Sequence, residues 1–352
     1  MYKSLQASRA IAAILVLLFH LGRIIAAEKY FGITGFSIPF SFGSAGVEFF
    51  FVLSGFIIFT AHQDDIFKPY KLASYIKKRF LRIYPTYWII FLSVFLLAIT
   101  STAWRNTVPH DIFIIFKSLL LIPQEKSIVW DTGAPVLIVA WTLQYEIFFY
   151  FFFAVLILNR WLSIISSLGL LYIYANYTGV LSAPFPLSFL SQDYIVLFVM
   201  GMVISVACSS KKVVASRPVF YVGTGTVMFL IVGMDTVLNL NLLSKWGIIL
   251  YGLASSLIIF GLVQEEDKGR IILNNNWLQI LGDSSYALYL IHYPLSSILC
   301  KLSLLIQLHK LGIIGAMIAY IAIFCICLIS SVIFYFWIEK PMTTYFRNRL
   351  AK

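Results

Sequence analysis

The stretch "SRAIAAILVLLFHLGR", residues 8–23, decides the fold. It is a run of apolar side chains with Arg9 at its start and His20 near its far end. Lipid offers an imidazole no hydrogen-bond partner, so His20 is read as facing inward, towards chemistry. His20 and Arg23 interrupt the apolar core, which argues against a cleaved signal peptide and for a retained first span.

Composition extends that reading to the whole chain. Of 352 residues, 61% are hydrophobic and 12% charged, with mean hydropathy +0.91. Soluble domains carry about a quarter charged residues, so half the usual supply for a wet surface is missing. Apolar spans are expected at 6–27, 43–62, 84–103, 136–158, 161–178, 189–208, 218–237, 244–263, 284–306 and 312–337. A helix needs roughly 20 residues to cross hydrocarbon. The fold class is all-α: a polytopic integral membrane protein with about ten transmembrane helices. Residues 111–122 are too short to span and are placed at an interface. Without repeats or a low-complexity linker, residues 1–352 are read as a single domain. Cys208, Cys300, Cys325 and Cys327 lack metal or haem spacing and read as small buried hydrophobes.

Ten spans put both termini on one side. With that side cytoplasmic, most of the 26 Lys and Arg fall on the inner face, among them Lys3, Lys68, Lys71, Lys77, Lys211, Lys212, Lys268, Lys340 and Lys352. The positive-inside rule supports that orientation. The net charge of +11 then serves topology and contact with anionic membrane lipids, not nucleic acid.

Ionisable residues inside spans are expensive and are functional candidates by default. They are His20, Glu48, Glu146 and His292, with Arg9 and Glu339 nearer the inner ends. At 1.5 Å per residue His20 lies about 10 Å deep, Glu48 about 8 Å and Glu146 about 15 Å. His20 and Glu48 are therefore expected to meet. A carboxylate beside an imidazole fixes its tautomer and stabilises the imidazolium, which suits a general base. The same pair would also serve to cross-link two helices, and spacing does not separate the two readings. Arg9, eleven residues before His20, shares its helical face about 16 Å away; a snorkelling Arg9 explains the position as well.

"YIKKRFLRIYPTYW" is the densest basic patch, with Lys78, Arg79 and Arg82 on one helical face and Pro85 expected to kink or restart the helix. Paired guanidiniums suit phosphates, of lipid headgroups or of a cytosolic donor. In "GSAGVEFFFVLSGFII", Gly46 and Gly55 are read as close-approach positions between helices. "WTLQYEIFFYFFF" sets Glu146 behind Trp141, and a carboxylate there needs a partner such as Arg, His or a substrate hydroxyl. "GDSSYALYLIHYPL" puts His292 before Pro294, at a helix break or in the site. "WIEKP" reads as a structural anchor.

These blocks, in this order and over about residues 4–342, resemble the acyltransferase-3 membrane family. "EKYFG" and "TAHQDD" are similar to its bacterial exopolysaccharide O-acetylating branch. The resemblance implies an inner-membrane enzyme moving an acyl group, usually acetyl from acetyl-CoA, to a sugar hydroxyl. It implies His20 as the catalytic histidine, Arg9 as its companion and Glu48 at the acidic position of its block. It also implies Arg79 and Arg82, with Lys78 beside them, at the nucleotide end of the donor, and Glu146 and Trp141 near the substrate. Thr142 stands where Ser is common, and both keep a hydroxyl. A soluble esterase-like domain is not expected.

The expected mechanism docks the donor phosphates at Arg79 and Arg82 and brings the thioester to His20. There a hydroxyl of a glycan or lipid-linked oligosaccharide loses its proton. Acyl-CoA is a co-substrate, no cofactor is permanently bound, no metal is required, and a homo-oligomer is compatible. The alternative is a proton-coupled exporter or flippase of a lipid-linked glycan. Many such folds carry internal repeats, and none is visible here.

Overall fold

A computed structural model describes residues 2–101, 107–129, 132–180, 182–210 and 215–350, and every regular element among them is helical. The α-helices of eight residues or more are α1 (Lys3–Ala26), α2 (Gly46–His62), α3 (Leu72–Thr100), α4 (Ile112–Leu119), α5 (Trp141–Leu158) and α6 (Arg160–Tyr177). They continue with α7 (Tyr194–Ser209), α8 (Pro218–Val237), α9 (Gly247–Asp267), α10 (Asn276–Asp283), α11 (Ser285–Leu305) and α12 (Gly312–Phe334). A π-helical turn, Tyr335–Glu339, leads into α13 (Lys340–Leu350). Lys211, Lys212 and Lys352 lie outside the described residues.

Among the described residues, nine stretches are long and apolar enough to cross a membrane. The chain is a multi-pass, all-α membrane protein. The nine correspond to the expected spans, with α6 left over. Its 18 residues extend about 27 Å, short of a hydrocarbon core of roughly 30 Å. Arg160, Ser163, Ser166, Ser167 and Asn176 also dilute its hydropathy. Residues 111–122 hold α4, of 8 residues.

Of the two outcomes expected at Pro85, a kink or a restart, the restart does not occur. Helix α11 likewise continues through Pro294, so His292 does not sit at a helix break. Each proline removes one backbone donor, and packed neighbours in membrane helices tolerate that loss. The cysteines also differ: Cys300 and Cys327 are buried, Cys208 is half-buried and Cys325 is exposed. An exposed face of an apolar span meets lipid, so a small hydrophobe is at no disadvantage there.

The helices gather into two compact units, Met1–Ile57 with Val199–Lys340, and Ile58–Phe198 with Pro341–Lys352. In the first, α1 packs against α10, α11 and α12, and α8 lies along α9. Leu17, Leu21 and Ile25 of α1 share a core with Leu288, Cys300, Ala316 and Ala319. The first turn of α1 is capped from α9: the Glu266 carboxylate accepts from the backbone N–H of Lys3 at 2.7 Å and of Ser4 at 2.8 Å. These are helix-start donors that would otherwise go unpaired. Residues 34–45 fold back along α1. A Cβ at Gly43 or Gly46 would collide with the carbonyl oxygens of Leu15 and Ala12, so this approach requires glycine. Gly201 makes a similar approach to the backbone at Val52 and Gly55.

In the second unit, α3 packs on α5. Its aromatic residues close the end of α4: Tyr84 OH, Tyr87 OH and Trp88 Nε1 donate to the carbonyls of Leu120, Ser118 and Leu119 at 2.8, 2.7 and 2.8 Å. The carbonyls of Leu119 and Leu120, at the helix end, are satisfied this way, and that of Ser118 also accepts the Leu121 backbone N–H at 3.0 Å.

Candidate active site

His20 stands on α1 of the first unit. Its ring lies edge-on to Phe19 and Tyr293, with centroids 4.9 and 5.4 Å away. Nδ1 of His20 lies 3.0 Å from the Val16 carbonyl oxygen and 3.2 Å from Nε2 of His292. His292, on α11 and 1% exposed, places its own Nδ1 3.1 Å from the Leu288 carbonyl oxygen. Nε2 of His20 makes no hydrogen bond to any described residue.

Glu48 lies in the first turn of α2 and is buried; no hydrogen bond or ion pair joins it to His20, and Oε2 has no partner among the described residues. The reason is geometric. The second candidate span begins at Thr34, because residues 34–45 already run beside α1. When α2 begins, Gly46 sits against Ala12, eight residues and about 12 Å along α1 from His20. Counting depth from residue 43 therefore placed Glu48 too near the imidazole. Arg9 is half-buried and donates to Gln6 Oε1 at 3.3 Å, and Gln6 in turn hydrogen-bonds Asp283.

The second unit holds the arginine cluster. The Arg79 guanidinium lies over the rings of Tyr75 and Tyr150, 5.8 and 5.5 Å from their centroids. Its Nε is buried with no hydrogen-bond partner among the described residues. Lys78 and Arg82 are exposed. Tyr75 OH donates to the Tyr150 carbonyl at 3.1 Å, and Tyr150 OH donates to Glu146. Trp141, five residues before Glu146, packs on Tyr194 at 5.1 Å and Tyr145 at 6.0 Å. His62 pairs with Asp65 at 2.7 Å and sets its ring edge-on to Tyr75.

The Glu146–Tyr150 and His62–Asp65 contacts were not singled out beforehand, although spacings of four and three residues on a helix are a usable signal. No local signal joins His20 to His292, 272 residues apart. Among the described residues, no three His, Cys, Asp or Glu side chains gather as a metal site would require.

This arrangement, an imidazole with one nitrogen tied and the other unengaged inside a helical membrane protein, occurs in a chain whose residues 2–336 match the acyltransferase domain of the acyltransferase-3 type. The chain belongs to the acyltransferase-3 family. It is similar to the exopolysaccharide production protein ExoZ of Rhizobium meliloti (strain 1021), at 28% identity over 298 residues, covering 83% of this chain and 85% of that protein. No solved structure matches it. The acyltransferase-3 match takes in both units, and so includes both the histidine pair and the arginine cluster. The protein is a membrane acyltransferase.

Proposed function

We propose that this acyltransferase-3 protein moves an acetyl group from cytosolic acetyl-CoA to a hydroxyl of an exopolysaccharide glycan, free or lipid-linked, in the bacterial cytoplasmic membrane. The observation that carries the reading is His20, whose Nδ1 is hydrogen-bonded while Nε2 is unengaged. The similarity to ExoZ supports the glycan acceptor. The positive-inside rule places Lys77, Lys78, Arg79 and Arg82, at the start of α3, on the side of the cytosolic donor pool.

In this mechanism Nε2 of His20 takes the proton as the acceptor O–H bond breaks, and the oxygen forms a bond to the thioester carbonyl carbon. The tetrahedral intermediate collapses with cleavage of the C–S bond, and the coenzyme A thiolate takes that proton back from Nε2. Acyl-CoA is consumed as a co-substrate, not held as a cofactor. Arg79, with its unpaired Nε, takes the donor phosphates together with Arg82 and Lys78. The stripe of α1 that carries His20 also carries Arg9, about 16 Å away, too far to touch the reacting atoms, so Arg9 serves binding. Glu48 supplies an acceptor oxygen for a sugar hydroxyl, and Glu146 and Trp141 help to shape substrate binding.

Labelled acetyl transfer by the purified protein tests the proposal. Transfer from acetyl-CoA to the polysaccharide is expected, and it should be lost in His20→Ala. An exporter would transfer nothing from acetyl-CoA, and its glycan movement would survive His20→Ala.

A further inference from the structure

We propose that His292 is a positioning residue that holds His20 as the Nδ1–H tautomer and so directs the Nε2 lone pair towards the acceptor hydroxyl. The inference rests on the reading of His20 as the base. It follows from counting protons along a chain of hydrogen bonds.

A backbone carbonyl only accepts. Nδ1 of His292, 3.1 Å from the Leu288 oxygen, must therefore carry a proton. In a neutral imidazole the other nitrogen is then an acceptor, so Nε2 of His292 offers a lone pair. That lone pair faces Nδ1 of His20 at 3.2 Å, and the Val16 carbonyl faces the same nitrogen at 3.0 Å. With an acceptor on each approach, Nδ1 of His20 is the protonated nitrogen; the Val16 oxygen is shared with the backbone N–H ladder of α1, so the His292 lone pair is the acceptor not otherwise engaged. Its Nε2 is left bare, which is the state a general base needs.

The direction is set by two helices. Each histidine reaches the carbonyl four residues before it on its own helix, and the packing of α1 on α11 brings the two rings together. Phe19 and Tyr293 hold the His20 ring edge-on. When Nε2 takes the proton, the Nδ1–H bonds become charge-assisted and strengthen. The ring therefore has a neutral orienting partner in place of a carboxylate, and fixing a tautomer in this way is worth orders of magnitude in serine-protease triads.

The test uses full-length protein in nanodiscs with isotope-labelled histidine nitrogens, His20 being assigned from the spectrum of His20→Asn. Wild type should show His20 protonated on Nδ1 and bare on Nε2. His292→Leu should give a mixture of tautomers, and His292→Gln, whose amide oxygen accepts, should restore the wild-type form. Turnover should fall about tenfold or more in His292→Leu with KM for acetyl-CoA held, and recover in His292→Gln. His20 protonated on Nε2 in wild type, or an unchanged tautomer in His292→Leu, would overturn the inference. If His292→Leu does not fold, His292→Phe, which keeps a ring but offers no acceptor, takes its place with the same expected mixture. The expected tautomer without any acetyl transfer would count against the proposed reaction and not against this arrangement.

Discussion

Nε2 of His292 lies 3.2 Å from Nδ1 of His20, so the imidazole of α1 is oriented by a second imidazole and not by Glu48. That contact separates two roles expected to coincide. In the proposed reaction His20 and His292 are the proton-handling pair, and Glu48 is left with an unpartnered carboxylate oxygen.

Removing the base should be costly for turnover and mild for the fold. His20→Gln is expected to lower kcat by about 10²–10⁴-fold, with thermal unfolding in detergent little changed. Labelled acetyl transfer at saturating donor measures it; wild-type kcat would remove His20 from the mechanism.

The proposed donor site at Arg79 calls for the shape of a guanidinium as well as its charge. Arg79→Ala should raise KM for acetyl-CoA about tenfold while kcat holds, and Arg79→Lys should not restore it, since an ammonium lacks the planar fork. Initial rates across donor concentration decide. A KM equal to wild type in both variants would reassign Arg79 to lipid or to its two tyrosine rings.

Glu48→Gln keeps the shape of the side chain but puts an amide N–H₂ where an acceptor oxygen stood. Turnover on the glycan should drop about tenfold, within the cost of an unmet hydrogen bond, while KM for acetyl-CoA stays at the wild-type value. Unaltered turnover would end its acceptor role.

Gly46→Val should destabilise the first unit by about 1–3 kcal/mol, because its Cβ would strike the Ala12 carbonyl. Gly169→Ala in α6 is the control. Nothing lies within 4 Å of its Cβ position, and alanine is the better helix former by up to about 1 kcal/mol. Thermal unfolding should move in opposite directions in the two proteins; parallel shifts would refute the close-packing account.

The capping carboxylate is open to a similar check. Glu266→Ala should cost about 1 kcal/mol by uncapping α1, and hydrogen exchange at Lys3 and Ser4 should rise. Unchanged protection at both amides would mean that Glu266 does not hold this end.

The class of the molecule, the positions of its membrane spans and its family were legible in the residues alone. Hydropathy over twenty positions is a local sum that no neighbour alters, and the ordered blocks around Arg9, Glu48, Arg79, Glu146 and His292 stand in the chain itself. The spans ran true in order, except at α6, where serines and an arginine leave the sum on the border, and at the starts of the second and third, which begin at Thr34 and Pro69. Local spacing also exposes Glu146 with Tyr150 and His62 with Asp65. The partner of His20 was another matter. Depth counted along the chain pointed to Glu48, but residues 34–45 descend beside α1 before α2 begins, and α11, far along the sequence, presents His292 instead. Which side chains meet depends on where helices start and how they are rotated against each other. Those are properties of the packed backbone, set here by contacts such as Gly46 on Ala12, and only the tertiary structure holds them.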